Sequence, residues 1–437
     1  MKHKIKFIPT TGLLILFFNF SILFSYGQLT LVHSPYLQNF NSIGSGLPTG
    51  WTVRVGATAT SIGSPATFIT ALTSWGTTTG QYANCASASP PAISSDNSVV
   101  QNSNTNRALS LRQSSGFGDT AVAFTLQLNN TTGLYKFNLT FKLMQLDPTT
   151  TAGRTTTWRV DYGKGVSPTT FTNVATTPGT LTTTLNQWGT TSVNVDFGSA
   201  LDNDTNKIWI RIVALNPTTG SGSRPRTAID DFSLSWTNIA TGPILDSVLC
   251  VGDTVNVPYT VTGTLGPTDT ITAQLSDSIG NFSNAVNIGF GVDTTSGSIN
   301  AIIPSNASSG TGYRIRVVSN SPPQTAYDNG SGLSISQNPS VLITGCNNVL
   351  PAYSTPLTAI VSGGTPSYYY QFFQNDTAVG GNTSMYGEGI AATYRVEITD
   401  INGCKATSPD FTITNYSGPM NGSYYVGGDS CPQFNTL

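Results

Sequence analysis

The chain has 437 residues, too many for one compact domain, and only 9% of them are charged, for a net charge of -2. That length implies two to four domains, and the weak charge excludes the basic field that nucleic acid or an anionic membrane surface would require. Polarity comes from Ser, Thr, Asn and Gly instead, and 44 Gly and 24 Pro punctuate short runs of β-branched and aromatic residues, the composition of an all-β chain of short strands and tight turns.

At the N-terminus, Lys2, Lys4 and Lys6 precede an apolar run at 12–24 and a small-x-small site at Ser25-Tyr26-Gly27. Residues 1–27 therefore read as a signal peptide, and the chain from Gln28 is expected to be secreted or displayed at the cell surface. No later run approaches about 20 apolar residues, so no transmembrane span is expected.

Residues 28–237 read as one large all-β domain. Tyr135, Phe137, Leu139, Phe141 and Leu143 alternate with Lys136, Asn138, Thr140 and Lys142, the period of a strand with one wet face. Residues 121–128, 157–162, 192–197 and 208–215 repeat the theme between Gly, Pro, Asn and Thr clusters that serve as turns. Residues 227–236 close the unit: Phe232, Leu234 and Trp236 alternate with Ser233 and Ser235, behind an acidic pair, Asp230 and Asp231. Strands of this number suit a two-sheet sandwich.

Phe40-Asn41, Leu47-Pro48-Thr49-Gly50-Trp51 and the closing Ile229-Asp230-Asp231-Phe232 resemble the jelly-roll modules of bacterial surface proteins related to concanavalin-like and carbohydrate-binding folds. The resemblance implies a structural calcium held between an acidic residue after the Phe and the closing Asp. Here a neutral Asn41 stands at the first position, so the candidate calcium ligands are Asn41, Asp230 and Asp231. In the alternative reading, the aspartates cap turns and accept backbone hydrogen bonds.

Of the six tryptophans, Trp51, Trp158, Trp209 and Trp236 lie in or beside strand-like stretches, where a Trp is ordinarily core. Trp75 and Trp188 lie in less regular, Thr-rich sequence and are the candidate platforms for stacking on a sugar ring.

Residues 241–336 form a second unit with strand patterns at 254–259, 270–275, 298–303 and 313–318. Cys250-Val-Gly-Asp253, residues 273–277 and Tyr313-Arg-Ile-Arg-Val-Val318 resemble the Ig-like modules stacked in bacterial secreted proteins, which space other domains. Residues 339–415 form a third unit. Its Gly363-Gly-Thr-Pro366 turn, the alternating stretch 392–400 and Asn402-Gly403-Cys404 resemble the PKD-like repeats of adhesins from gliding bacteria. Asn402-Gly403 suits a hairpin turn needing positive φ.

Cys346 and Cys404, at opposite ends of this third unit, form the candidate disulfide for an oxidising compartment; Cys85, Cys250 and Cys431 are left unassigned. Residues 416–437 resemble the opening turn of a right-handed parallel β-helix, which implies a further domain beyond Leu437.

His33 is the sole histidine after the signal peptide, so a Ser-His-Asp or Cys-His arrangement would rest on that one residue. Asp230 and Asp231 are adjacent on one strand and point to opposite faces, the wrong geometry for glycoside hydrolysis. The reading is a non-catalytic surface or secreted protein that binds polysaccharide or extracellular matrix through the jelly roll. Its alternative is the accessory N-terminal region of a polysaccharide-acting enzyme whose catalytic domain lies beyond residue 437.

Overall fold

A computed structural model describes residues 27–71, 79–90, 93–119, 121–147, 153–184, 187–351 and 353–417. Residues 1–26 of the expected signal peptide, Trp75 and the stretch 418–437 with Cys431 lie outside the described residues. The chain is all-β, a tandem of β-sandwiches with three large hydrophobic cores in chain order.

In the first unit, one sheet has the order Gln187–Asp196, Tyr135–Asp147, Arg226–Thr241, Arg107–Arg112, Gln81–Ala86, Phe68–Ile69. The facing sheet has the order Thr172–Val174, Thr155–Lys164, Ile208–Ala214, Val122–Leu128, Trp51–Val55, Ser64–Pro65. Neighbours in space are distant in sequence, the crossover pattern of a jelly roll. The alternation seen at 135–143 now has its cause: Phe137, Leu139, Phe141 and Leu143 enter the core between the sheets, and Lys136 and Thr140 face water. Trp51, Trp158 and Trp236 are core residues, as their strand setting predicted. Trp209 is also buried, on the other face of its sheet beneath the Arg54 guanidinium, 5.2 Å from the ring centroid.

The residues that carry the jelly-roll likeness meet in space. Trp51 packs edge-to-face on Phe40 at 5.0 Å and on Phe232 at 4.8 Å, and its indole N–H donates to the Tyr36 hydroxyl at 3.0 Å. The opening and closing segments are thus held together by aromatic packing, each ring pair adding about 0.5–1.5 kcal/mol beyond area burial.

The long strand Arg226–Thr241 does not stop at the edge of the first unit. Its last residues, Asn238 to Thr241, pair with Thr262 to Tyr259 of the strand Thr254–Thr262, and Ile239 lies in the second core. Gln324 Nε2 donates to Thr237 Oγ1 at 3.1 Å, and Val317 N to Thr241 Oγ1 at 3.0 Å. One strand is therefore shared between the unit expected to end at residue 237 and the unit expected to begin at residue 241.

The disulfide expectation is corrected. Cys404 pairs with Cys250, with Cα atoms 5.5 Å apart, and not with Cys346, which is disulfide-bonded otherwise. The cause is the turn after the strand Ala392–Asp400. Asp400 accepts from the backbone N–H groups of Thr365, Asn402 and Cys404, Gly403 adopts φ +88°, and Asn402 Nδ2 donates to Ser336 Oγ of the second unit at 3.0 Å. Val248–Cys250 runs parallel to Leu333–Ser336, so the turn carries Cys404 onto Cys250 across the junction of the two units.

Candidate functional site

The strand Arg107–Arg112 alternates between two faces. Leu109 and Leu111 enter the main core with Tyr82 of the neighbouring strand, and Ala108 lies on the outer face with Ala83 and Cys85. The same period places Arg107 and its neighbour Asn84 on the inward face, where the core ends. Here lies a cleft of about 400 Å3, lined by Asn41, Gly44, Thr70, Ala71, Asn84, Asn102, Asn104, Thr105 and Arg107.

Local hydrogen bonding builds this cleft. A short helix, Ser98–Ser103, starts at Asn97, whose side chain accepts from the N–H groups of Val99 and Val100, the usual device for satisfying orphan donors at a helix start. It leads into the turn at 104–106, where Asn104 Oδ1 accepts from Asn106 N at 2.8 Å. Arg107 is 8% exposed. Its Nε donates to Asn84 Oδ1 at 2.7 Å, and its Nη1 to the carbonyls of Gln101 at 2.7 Å and Asn104 at 3.2 Å. Burial lowers its pKa from the ordinary guanidinium value. Asn84 Nδ2 donates to Thr70 O at 2.8 Å, so both ends of that amide are engaged.

Asn41, a candidate calcium ligand, bonds the end of the strand Arg107–Arg112. The strand Arg226–Thr241 pairs with Arg107–Arg112 only as far as Ile229 opposite Leu109, then shifts register after Asp230. Two residues on, the Arg107 N–H faces no strand, and Asn41 Oδ1 accepts it at 2.7 Å.

Asp230 is fully buried, its Oδ2 accepting from Ser87 Oγ and its Oδ1 from Asp231 N, each at 2.7 Å. Asp231, at φ +46°, faces water and pairs with Lys142 at 2.8 Å. Asn41, Asp230 and Asp231 thus each meet a separate protein donor. Among the described residues no group of three or more His, Cys, Asp or Glu is gathered for a metal ion.

Trp188 is not among the residues lining the cleft. Trp188 is half-buried on the edge strand Gln187–Asp196, packed against the small outer cluster of Ala83, Cys85, Met144 and Leu146. Trp75 lies outside the described residues, in the segment that follows the cleft residues Thr70 and Ala71. Arg107 was missed in the sequence, although its place in the Leu109, Leu111 period was a signal: a charged residue in an inward register needs a reason.

Asp230 gives a pH prediction. Burial pushes its carboxyl from 3.8 up to about 7, outweighing the hydrogen bonds from Ser87 and Asp231 and the nearby Lys142 charge, which act in the other direction. Between these values the folded protein keeps a proton that the unfolded chain has released, so stability falls as pH rises through that window and levels off above it. The melting temperature should be higher near pH 5 than near pH 8, and Asp230→Asn should remove most of the difference. An unchanged pH profile in Asp230→Asn, measured by calorimetry, contradicts the assignment.

No family model and no curated protein matches the chain. Among solved structures, it is similar to the adhesin domain of Epf from Streptococcus pyogenes at 13% identity, over 53% of this chain and 78% of that one, with a TM-score of 0.23. It is also similar to the N-terminal tandem of CBM22 modules of Xyn10C from Paenibacillus barcinonensis at 8% identity, over 68% and 92%, with a TM-score of 0.26. Likenesses at these scores carry no argument about function.

Proposed function

We propose that this is a non-catalytic exported protein, secreted or held at the cell surface, whose first sandwich binds polysaccharide in the asparagine-lined cleft while the second and third sandwiches act as Ig-like and PKD-like spacers. The observation that carries the reading is the cleft itself. It is a concavity at the mouth of a β-sandwich, lined by amides, hydroxyls and one guanidinium, the groups that hydrogen-bond sugar hydroxyls. Asp230, buried and bonded to Ser87, and Asp231, turned to Lys142, support a structural role for the acidic pair over paired-carboxylate chemistry. The shared strand and the Cys250–Cys404 bridge suit spacers that carry a binding unit.

Each hydrogen bond to a sugar adds about 0.5–1.5 kcal/mol net, so a single cleft should bind in the micromolar to millimolar range. Gly44 provides the test. A Cβ placed there meets only Asn84 Nδ2, at 3.6 Å, so a side chain at this position occupies the cleft without displacing backbone. Gly44→Leu should weaken retention on an immobilised polysaccharide about tenfold or more, the loss of one or two such bonds, with the melting temperature unchanged. Equal retention by wild type and Gly44→Leu would remove the cleft from the account.

A further inference from the structure

The cleft is built of donors. Arg112 and Arg211 are buried against the carboxylates of Asp147 and Asp161, but among the described residues Arg107, itself 8% exposed, has no acidic partner, and no Asp or Glu lines the cleft. Three carbonyl-type oxygens take its Nε and Nη1; its Nη2 has no protein partner among the described residues. The asparagines are biased in the same direction. The Oδ1 atoms of Asn41 and Asn104 are turned onto the backbone N–H groups of Arg107 and Asn106, which leaves their Nδ2 groups without an acceptor among the described residues. The Asn84 amide is engaged at both ends, its oxygen by Arg107 Nε and its Nδ2 on Thr70 O. A buried cation facing a cleft whose amides offer N–H groups matches a ligand bearing negative charge and surplus acceptors.

We infer that the cleft takes an anionic substituent of a polysaccharide, a carboxylate or a sulfate ester, seated on Arg107 Nη2 and the Nδ2 groups of Asn41 and Asn104. This rests on the polysaccharide reading above and narrows it to acidic polymers.

The test compares retention of the full chain on polygalacturonate, on its carboxyl-reduced neutral product and on a sulfated galactan. The expected result is retention on one or both charged polymers at least about tenfold above the neutral one, the worth of one charge-assisted hydrogen bond. It should weaken as salt rises from about 50 to about 500 mM. Preference for the first charged polymer assigns a carboxylate, and preference for the galactan a sulfate.

Asn104→Asp keeps an oxygen for the Asn106 N–H but puts a negative charge where Nδ2 stood; it should abolish the preference with the melting temperature unchanged. Asn41→Asp, which keeps the oxygen for Arg107 N, is the second variant should the first fail to fold. Equal retention on neutral and charged polymers, indifferent to these substitutions, overturns the inference and leaves the polysaccharide reading standing. Retention on no polymer by the wild type overturns both.

Discussion

Asp161→Ala should cost about 3–5 kcal/mol of stability, because it strands a buried charge. Asp161 and Arg211 face each other in register across the strands Thr155–Lys164 and Ile208–Ala214, and neither side chain is exposed. The pairing is bidentate, Nε to Oδ1 at 2.7 Å and Nη2 to Oδ2 at 2.8 Å, with Arg159 adding a second cation on Oδ2. Arg211 also donates to the carbonyls of Ser61 and Thr58, and the Phe171 ring covers its guanidinium at 3.3 Å. Two loops are therefore anchored on a cation that, among the described residues, Asp161 alone neutralises directly. Arg211→Met should be milder, since Asp161 keeps the half-exposed Arg159. The double variant should recover part of the loss, as apolar replacement of a whole buried pair commonly does. Denaturant unfolding reads the difference, and a loss below about 1 kcal/mol for Asp161→Ala would contradict the argument.

Cutting the Cys250–Cys404 bridge should uncouple the third sandwich from the second. The bond spans 154 residues, and bridges of this kind are typically worth about 2–4 kcal/mol. The intervening second unit has its own core of Val255, Val257, Ile271, Ile315 and Leu333, so the stabilisation falls on the junction rather than on that core. Beyond the bridge, the junction rests on contacts such as Asn402 to Ser336 and Asn338 Nδ2 to Val251 O at 3.0 Å. Calorimetry of the double variant Cys250→Ser/Cys404→Ser, which spares the bond made by Cys346, should show the third unit melting in its own, lower transition. A thermogram unchanged from wild type would mean that the non-covalent junction suffices.

Periodicity made the strands legible. The alternation at 135–143 belongs to the strand Tyr135–Asp147, and 270–275 coincides with the strand Thr270–Leu275. One-sided burial imposes a period of two on any strand that covers a core. What periodicity does not carry is the partner of a group. The Cys404 pairing depends on where the Asn402-Gly403 turn points relative to another unit, a tertiary fact without local signal. At Asp230 and Asp231 the opposite faces were legible, but the register shift and the partners Ser87 and Lys142, 143 and 89 residues away, were not. The cleft was hidden for the same reason: Asn41, Thr70, Asn84 and Arg107 come from four separate segments. Arg107 alone betrayed it, by continuing an apolar register with a charge.

The measurement that bears most directly on the account is retention of the wild-type chain and of Gly44→Leu on a panel of immobilised acidic and neutral polysaccharides, with melting temperatures recorded alongside. The wild-type chain should be retained, and Gly44→Leu should weaken that retention about tenfold or more at an unchanged melting temperature. A wild-type protein retained on none of them, or a Gly44→Leu variant retained as well as wild type, would contradict it.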